Sequence, residues 1–253
     1  MTNPPQRLIQ PFFANSIAKS GTHLLRPLLE GIPSLNHYDF IYPGVLHQLP
    51  EHRTILSKMP PNNFSNGHIH YSKDYEQLFR SLNLKQIFLY RDPRDIVVSY
   101  AYFFMKLKGT PTYRYFTENN LNIKKRCLAI INGFKTDYTF RGDINTWYRH
   151  FTPWRDVDYV LPISYESLIE SPSSLHQQLV KIIRFLNIEN NSRNINVLSK
   201  QMQNNVNPLK SPTFRNGQSG NWEIEFDDEI KSHFKRVAGN LLIELGYEKD
   251  DNW

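Results

Sequence analysis

Three stretches of this 253-residue chain share one order, an apolar run, a short polar loop and then a helical pattern, and this order most constrains the fold. They cover residues 12–30, 85–109 and 158–188. Apolar runs that alternate with helices predict an α/β fold with a mainly parallel central sheet flanked by helices. The run at 87–89 is apolar on both faces, as expected of a strand that helices cover on both sides.

The ends of the predicted strands carry charged and polar side chains. Lys19, Arg91 and Tyr165 each follow one of the three apolar runs closely. Ligands of α/β folds bind at the carboxyl ends of the strands. We therefore expect these side chains, which come from separate segments, to meet at one site.

Helix signals divide the chain further. Asp92 is a natural N-cap with Pro93 at the first helical position, and Gly109 is expected to end that helix. Ser171 opens the helix of the third stretch, and Gly246 is expected to end the last helix. The apolar stripes of these two later helices are predicted to be Leu175, Leu179, Ile182, Ile183 and Leu186, and Ile230, Phe234, Val237 and Leu241.

Composition favours one globular domain over residues 1–253, because 40% of the residues are hydrophobic and no repeat or linker interrupts the chain. The formal charge of +6 favours an anionic partner without choosing among a nucleotide, a nucleic acid and a membrane surface. Cys127 is the single cysteine, so an intramolecular disulfide and a cysteine-based zinc cluster are excluded. No segment resembles a signal peptide or the roughly 20 apolar residues that span a bilayer, so we expect a cytoplasmic protein.

The loop of the first stretch reads Lys19-Ser20-Gly21-Thr22. A helix N-terminus offers unpaired N–H groups and the positive end of the helix dipole, so a glycine-containing turn before it can bind phosphate or sulfate. The lysine precedes the glycine, whereas in the Walker loop of ATP- and GTP-binding proteins it follows one. An ordinary turn with a surface lysine is the alternative for this segment alone.

Four short motifs follow one another along the chain. AKSGTHL occupies residues 18–24, RDPRD occupies 91–95 with Ser99 behind it, YESL occupies 165–168, and RNGQSGNW occupies 215–222. In this order they resemble the P-K-S-G-T-T-W, R-N/D-P-K/R-D-x-x-x-S, Y-E-D/S-L and R-K-G-x-x-G-D-W motifs of the sulfotransferases that use 3'-phosphoadenosine 5'-phosphosulfate (PAPS). The resemblance covers most of the chain and implies a P-loop-like strand–loop–helix that binds phosphosulfate.

The resemblance implies roles for the first motif. Lys19, Ser20 and Thr22 would hold the 5'-phosphosulfate together with the backbone N–H groups around Gly21. Lys19 would also stabilise the charge that develops on the leaving phosphate. His23 replaces a threonine of the family and would either donate to the phosphosulfate or only fill space.

The second motif is assigned to the 3'-phosphate of the cofactor. The resemblance implies that Arg91 binds this phosphate by charge-assisted hydrogen bonds and that Ser99 binds it through its hydroxyl. The alternative for Arg91 is a salt bridge to Asp92 or Asp95.

The other two motifs concern the adenine and a closing segment. Arg215, with the backbone of Asn216 and Gly217, would close over the 3'-phosphate, and Asn216 replaces a lysine of the family. Tyr165 would lie near the adenine. Leu24 stands where the family has a tryptophan that stacks on the base, so this packing is expected to be weaker or to come from elsewhere.

A histidine is the expected general base. In the family a K-T-H-L/I-P stretch supplies it, and NGHIHYS at residues 66–72 aligns His68 with that histidine, with His70 as the second candidate. Neutral imidazole suits proton removal because its pKa is close to working pH. Asn66 and Gly67 replace the Lys-Thr pair, which removes one charge stabiliser.

The resemblance implies a PAPS-dependent sulfotransferase that transfers a sulfuryl group to a hydroxyl or amine of a small-molecule acceptor. It needs no metal, and neither a nucleic acid nor a membrane is an expected partner. The family's dimer motif is not found, so the oligomeric state stays open. A kinase-like nucleotide-binding enzyme and a basic nucleic-acid-binding protein are the alternatives. Aromatic residues between 113 and 148 form either an acceptor pocket or simply core.

Overall fold

The computed structural model describes residues 8–44, 46–136, 140–189, 191–207 and 217–253. It divides into two compact units, of which the first comprises Met1–Tyr90 with Phe151–Gly217 and the second comprises Arg91–His150 with Gln218–Trp253. No helix of the described ranges has both the length and the apolar character that crossing a membrane requires.

The strands, in chain order, are β1 (Phe12–Ser16), β2 (Asn36–Gly44), β3 (Asn63–Ile69), β4 (Lys85–Tyr90), β5 (Phe134–Lys135), β6 (Phe140–Arg141) and β7 (Val160–Ser164). The helices are α1 (Thr22–Glu30), α2 (Leu49–Ser57), α3 (Lys73–Ser81), α4 (Pro93–Phe103), α5 (Pro111–Glu118), α6 (Ile123–Asn132), α7 (Ile144–Arg149), α8 (Tyr165–Ile169), α9 (Pro172–Phe185), α10 (Ser192–Asn204), α11 (Trp222–Glu225) and α12 (Asp228–Leu245). Short 3-10 segments lie at Leu46–Gln48, Phe104–Lys106 and Thr152–Asp156.

The first unit is built on a five-stranded sheet with the order β2-β3-β1-β4-β7. Every neighbouring pair is parallel. The prediction of a parallel α/β sheet is confirmed, and the strand ends of β1, β3 and β7 lie at one edge of the sheet because parallel strands share their direction. This edge is where the first unit carries Lys19, His68 and Tyr165.

Helices α1, α9 and α10 cover one face of this sheet. Their apolar side chains pack on the strands in one buried cluster, which includes Phe12, Ala14, Leu25, Leu28, Leu29, Phe64, Ile87, Leu89, Leu179, Ile182, Ile183, Ile195 and Met202. The predicted stripe of α9 is confirmed, although Leu175 at its first turn is only partly buried. Ser171 caps α9 as expected, since its side chain accepts a hydrogen bond from the Ser174 N–H.

The second unit consists of helices α4–α7, α11 and α12 with the antiparallel pair β5–β6. Asp92 caps α4 through a hydrogen bond from the Arg94 N–H at 2.8 Å, with Pro93 in the first turn, as predicted. The expectation that Gly109 ends this helix is wrong. Helix α4 ends at Phe103 and tightens into a 3-10 turn, because the Leu107 N–H bonds to the Phe104 carbonyl.

Helix α12 ends at Gly246, which has a φ of +82° and caps the helix in the left-handed conformation, as predicted. The helix is kinked at Ala238, whose φ of −141° is not helical. Three residues of the predicted stripe, Ile230, Phe234 and Leu241, are buried as expected. Ala238 and Leu242 are buried, whereas Val237 of the predicted stripe is only half-buried.

Candidate active site

The loop between β1 and α1 has an unusual backbone. Lys19 has a φ of +73° and Gly21 has a φ of +99°, so two of its residues adopt the left-handed conformation that non-glycine residues rarely take. The Ser20 N–H donates to the Ile17 carbonyl at 3.0 Å, which closes the turn. Successive N–H groups in such a turn form a concave anion site, and helix α1 begins directly behind it.

Ser20 supplies an unused hydroxyl in this loop. Its side-chain oxygen is fully buried and has no hydrogen-bond partner. Buried hydroxyls are nearly always paired, so an unpaired one requires a reason. The first turn of α1 contains no acidic residue that would occupy the site. A lysine, a buried donor and a helix N-terminus together fit the oxygens of a phosphosulfate.

Tyr165, at the end of β7, packs against Gly21. A Cβ atom at residue 21 would lie 2.5 Å from Tyr165 Cδ2, which is far inside contact distance. Gly21 is therefore required by its positive φ and by the aromatic ring beside it. The structure brings the first and third predicted motifs together at one edge of the sheet.

His68 lies beside this loop at the end of β3. Its Nδ1 is 2.7 Å from the Ser16 carbonyl oxygen, which can only accept, so Nδ1 carries the proton and Nε2 is the basic nitrogen. The Ser16 hydroxyl is 3.2 Å from the same Nδ1 and 2.7 Å from the hydroxyl oxygen of Thr22. A short hydrogen-bonded chain thus connects the histidine with the first residue of α1.

The pKa of His68 is lowered from 6.5 to about 4. Burial is the main cause, the hydrogen bond to the Ser16 carbonyl opposes it, and the nearby charges of His23 and Lys19 lower the pKa further. The imidazole is therefore neutral at physiological pH, which is the form that accepts a proton. The pKa of His23 is lowered as well. The largest cause is desolvation of the part of its ring that is covered, and the charges of Lys19 and Arg26 add to it.

The second candidate base has different surroundings. His70 follows the end of β3, and its ring meets Phe151 edge to face with centroids 4.6 Å apart. His68 contacts Ser16 directly, at the strand end that leads into the phosphate loop. The geometry therefore favours His68 for proton transfer beside the loop.

The two residues before His68 have structural roles. A Cβ atom at Gly67 would lie 2.1 Å from the Ile41 carbonyl oxygen, so the close approach of β2 admits only glycine. Asn66 is buried and its side-chain oxygen lies 2.7 Å from His37 Nε2, which donates to it. These contacts explain why a lysine and a threonine are not accommodated here.

In the second unit, Arg91 immediately precedes the capped start of α4. Its Nη2 is 3.1 Å from Asp95 Oδ2 and also donates to the Gln218 carbonyl at 2.9 Å. The salt bridge to Asp95 that the sequence offered as the alternative is therefore present, while Asp92 pairs with Arg94 at 2.7 Å. Arg91 thus forms hydrogen bonds with other residues of the protein. Its role at the 3'-phosphate stays a prediction.

Asp95 connects α4 with Gly220 and Trp222 of the last motif. The sequence did not indicate this connection. Its two oxygens accept from the backbone N–H groups of Gly220 and Trp222 at 2.9 and 3.1 Å. Asp95 and Ser99 are four residues apart and therefore lie on one face of α4. Arg215 and Asn216 lie outside the described residues, and Gly217 has a φ of +65°.

Leu24 stands where the family has a tryptophan. It is half-buried and packs against the core cluster of the first unit.

Arg94 is a buried residue that the sequence did not single out. It pairs with Asp92 and Glu248, and its guanidinium carbon lies 3.8 and 4.5 Å from the ring centres of Trp222 and Trp253. In the part of the chain that the structure describes, no group of three His, Cys, Asp or Glu side chains could hold a metal ion.

Comparison with known families decides the identity of the chain. A model of the sulfotransferase domain matches residues 11–246 and so runs through both units. The chain belongs to the sulfotransferase family. Among curated relatives, sulfotransferase 1E1 of rat is 25% identical over 62% of this chain and 54% of its own length, and that of mouse is 24% identical over 67% and 60%. This sulfotransferase thus spans little more than half the length of the curated relatives it matches.

Solved structures of similar fold include two complexes with 3'-phosphoadenosine 5'-phosphate (PAP). Mouse sulfotransferase SULT7A1 with PAP has a TM-score of 0.65 at 20% identity and covers 93% of this chain and 84% of its own. Retinol dehydratase with androsterone and PAP has a TM-score of 0.61 at 16% identity and covers 92% and 80%. At these identities the similarity establishes the fold.

Proposed function

We propose that this sulfotransferase transfers a sulfuryl group from PAPS to a hydroxyl or amine of a small-molecule acceptor. The observation that supports this most is the buried, unpartnered hydroxyl of Ser20 in a left-handed loop beside a histidine whose proton is fixed on Nδ1. Family membership and the PAP complexes of two structural neighbours agree with it.

Residues of the first unit would hold the phosphosulfate end. Ser20 has an oxygen that needs a partner, Thr22 has a hydroxyl at the start of α1, and Lys19 adds a positive charge. When bound, PAPS supplies a sulfuryl group attached to a phosphate leaving group. Lys19 and the loop N–H groups would compensate the negative charge that grows on that phosphate. Tyr165, against Gly21, is proposed to contact the adenine.

Residues of the second unit would hold the 3'-phosphate. The Nη2 of Arg91 donates a hydrogen bond to the carboxylate of Asp95. A planar guanidinium with five N–H donors matches the oxygens of a phosphate, and this salt bridge orients the Arg91 guanidinium for the proposed contact. Ser99, on the same face of α4 as Asp95, is proposed to add its hydroxyl, and the segment 215–217 is proposed to close over this phosphate.

His68 would act as the general base. With its proton on Nδ1, its Nε2 takes the proton of the acceptor hydroxyl or amine, while the acceptor oxygen or nitrogen forms the bond to sulfur. The S–O bond to the 5'-phosphate breaks, and the electron pair leaves with that phosphate. The acceptor is proposed to be a small molecule, and structures of the similarly folded retinol dehydratase contain androsterone and retinol. Neither a nucleic acid nor a membrane is part of this proposal.

The test is calorimetric titration of PAP, without metal, against wild type, Lys19→Ala, Ser20→Ala and Arg91→Ala. We expect metal-independent binding that each variant weakens at least tenfold, since hydrogen bonds to charged groups contribute about 1.5–3 kcal/mol. Exposed Arg193 supplies the matched control, and Arg193→Ala should bind PAP as wild type does.

Two outcomes would overturn the proposal. Stronger binding of ATP with magnesium than of PAP would favour the kinase-like alternative. Binding to oligonucleotides that weakens steeply with salt, in the absence of PAP binding, would favour the nucleic-acid alternative.

A further inference from the structure

One arginine of the second unit packs among aromatic rings. The guanidinium carbon of Arg141 lies 4.1 Å from the ring centre of Tyr100, 5.0 Å from that of Trp147 and 5.4 Å from that of Phe104. Tyr100 stacks on Phe104 with centroids 5.0 Å apart and meets Trp147 edge to face at 5.6 Å. We call these four residues the arginine cage.

Among the residues that the structure describes, no carboxylate pairs with the positive charge in the cage. Nη2 of Arg141 is buried without a hydrogen-bond partner. None of the ion pairs formed within the described ranges involves Arg141. Asp143, two residues away, is engaged elsewhere, because its two oxygens accept from the N–H and the hydroxyl of Thr146.

Three other arginines of the described ranges stack on rings; two of them also meet carboxylates, whereas Arg155, on the single ring of Tyr90, is in none of the ion pairs found there. Arg94 stacks on Trp222 and Trp253, and it also pairs with two carboxylates. Arg80 stacks on Tyr159 and pairs with Glu76 and Asp158. In both, the ring faces hold the guanidinium plane while its N–H edge meets an anion. Arg141 has the ring faces without the anion.

We propose that the arginine cage binds the carboxylate of an aromatic ligand. A guanidinium presents parallel N–H groups that match the two oxygens of a carboxylate, and the half-buried ring of Trp147 offers apolar contact to the body of such a ligand. The cage has a single cation, which matches the single charge of a carboxylate better than the double charge of a phosphate.

The binding inference is independent of sulfuryl transfer, since no cage residue is among those proposed to hold PAPS. Benzoate and benzamide have the same shape and differ in charge, so they serve as matched probes. Each is titrated in the millimolar range against wild type, Arg141→Gln, Arg141→Lys and the control Arg80→Gln, with ligand-observed NMR as the measurement. Thermal melts followed by circular dichroism establish that each variant is folded.

We expect wild type and Arg80→Gln to bind benzoate at least about tenfold more tightly than benzamide. Arg141→Gln should lose this preference while its affinity for benzamide is unchanged, and Arg141→Lys should retain part of it because it keeps the charge without the planar fork. If Arg141→Gln does not fold, the lysine variant carries the comparison. Equal binding of the two probes by wild type, no binding of benzoate, or the same loss in Arg80→Gln would overturn the inference.

Discussion

The backbone carbonyl of Ser16 accepts a hydrogen bond from His68 Nδ1 at 2.7 Å, and the Ser16 hydroxyl lies 2.7 Å from that of Thr22. One residue at the end of β1 therefore contacts both the proposed base and the start of the phosphate loop's helix. The carbonyl determines which imidazole nitrogen carries the proton. The hydroxyl, which a substitution can remove by itself, connects this nitrogen with Thr22.

Ser16→Ala is expected to lower kcat about fivefold, because it removes a contact that orients both His68 and Thr22 and a hydrogen bond is typically worth about 1 kcal/mol. The affinity for PAP should change less than about threefold, since the carbonyl and Lys19 remain. Ser16→Thr, which keeps the hydroxyl, should restore kcat. Steady-state kinetics with labelled PAPS measures both constants. An equal loss of PAP affinity and kcat, or no rescue by threonine, would contradict this positioning role.

His68→Ala is expected to lower kcat by about 10²–10⁴, the usual contribution of a general base. His70→Ala is the matched variant, because His70 lies two residues away and its ring packs on Phe151. It should retain most of the activity. PAP binding by both variants, measured by calorimetry, should stay close to wild type. A larger loss of kcat in the His70 variant would reverse the assignment of the base.

The stability of the protein should depend on pH through His68. Its pKa falls from 6.5 to about 4 in the folded state, so between these values the unfolded chain binds more protons. The free energy of unfolding is therefore highest above pH 6.5 and decreases as the pH falls towards 4, by about 3 kcal/mol from this group. Urea unfolding of wild type and His68→Asn at several pH values measures it.

In His68→Asn the free energy of unfolding should change less between pH 6.5 and 4 than in wild type, but it should still change. The pKa of His52 is also lowered by burial, and that of His23 is lowered as well, so these groups continue to contribute. Identical pH profiles for wild type and His68→Asn would show that His68 is not buried in its neutral form.

Gly21→Ala and Gly109→Ala separate backbone strain from steric overlap. Both positions have a positive φ, +99° and +84°, but a Cβ atom at Gly21 meets Tyr165 at 2.5 Å and one at Gly109 meets nothing within 4 Å. Gly109→Ala should cost about 1–2 kcal/mol, and Gly21→Ala about 1–3 kcal/mol more. Urea unfolding measures both, and a similar loss in the two variants would mean that the ring is not fixed against the loop.

Arg94→Met is expected to destabilise the protein by about 3–5 kcal/mol, because it removes the guanidinium that balances the charge of the buried Asp92 carboxylate. Arg149 provides the control, since it pairs with Glu244 at 2.7 Å while both side chains are exposed. Arg149→Ala should cost no more than about 1 kcal/mol. Thermal and urea unfolding compare the two, and comparable losses would show that burial does not distinguish these ion pairs.

Local sequence signals predicted much of the framework. Apolar runs identified strands β1, β4 and β7, and capping residues placed the starts of α4 and α9 at Asp92 and Ser171. These predictions succeeded because caps and buried strands depend on neighbouring residues. The predicted end of α4 was wrong, because a 3-10 turn depends on packing that a periodic pattern does not contain, and of the predicted α12 stripe only Val237 is not fully buried.

The site shows the same division. The residues of the phosphate loop and His68 were identified from the sequence, although their roles stay predictions. The Ser16 contacts and the backbone bonds to Asp95 were missed. A polar pair, Asn15 and Ser16, at the end of an otherwise apolar strand was a usable signal, since buried polar side chains need partners. Asn15 bonds both ways with the backbone of Ile69.

The sequence by itself therefore determined that alternating strands and helices form a parallel sheet and which short motifs lie at the strand ends. Only the tertiary structure decided which hydrogen bonds orient them, that Nδ1 of His68 carries the proton, that Gly21 must accommodate Tyr165, and that Arg141 packs among rings with no ion pair to any described residue. The physical reason is the separation along the chain over which each effect acts. Propensity, capping and periodicity act between residues close in the chain, whereas desolvation and hydrogen-bond pairing depend on residues up to 50 or more positions apart, as Ser16 and His68 are.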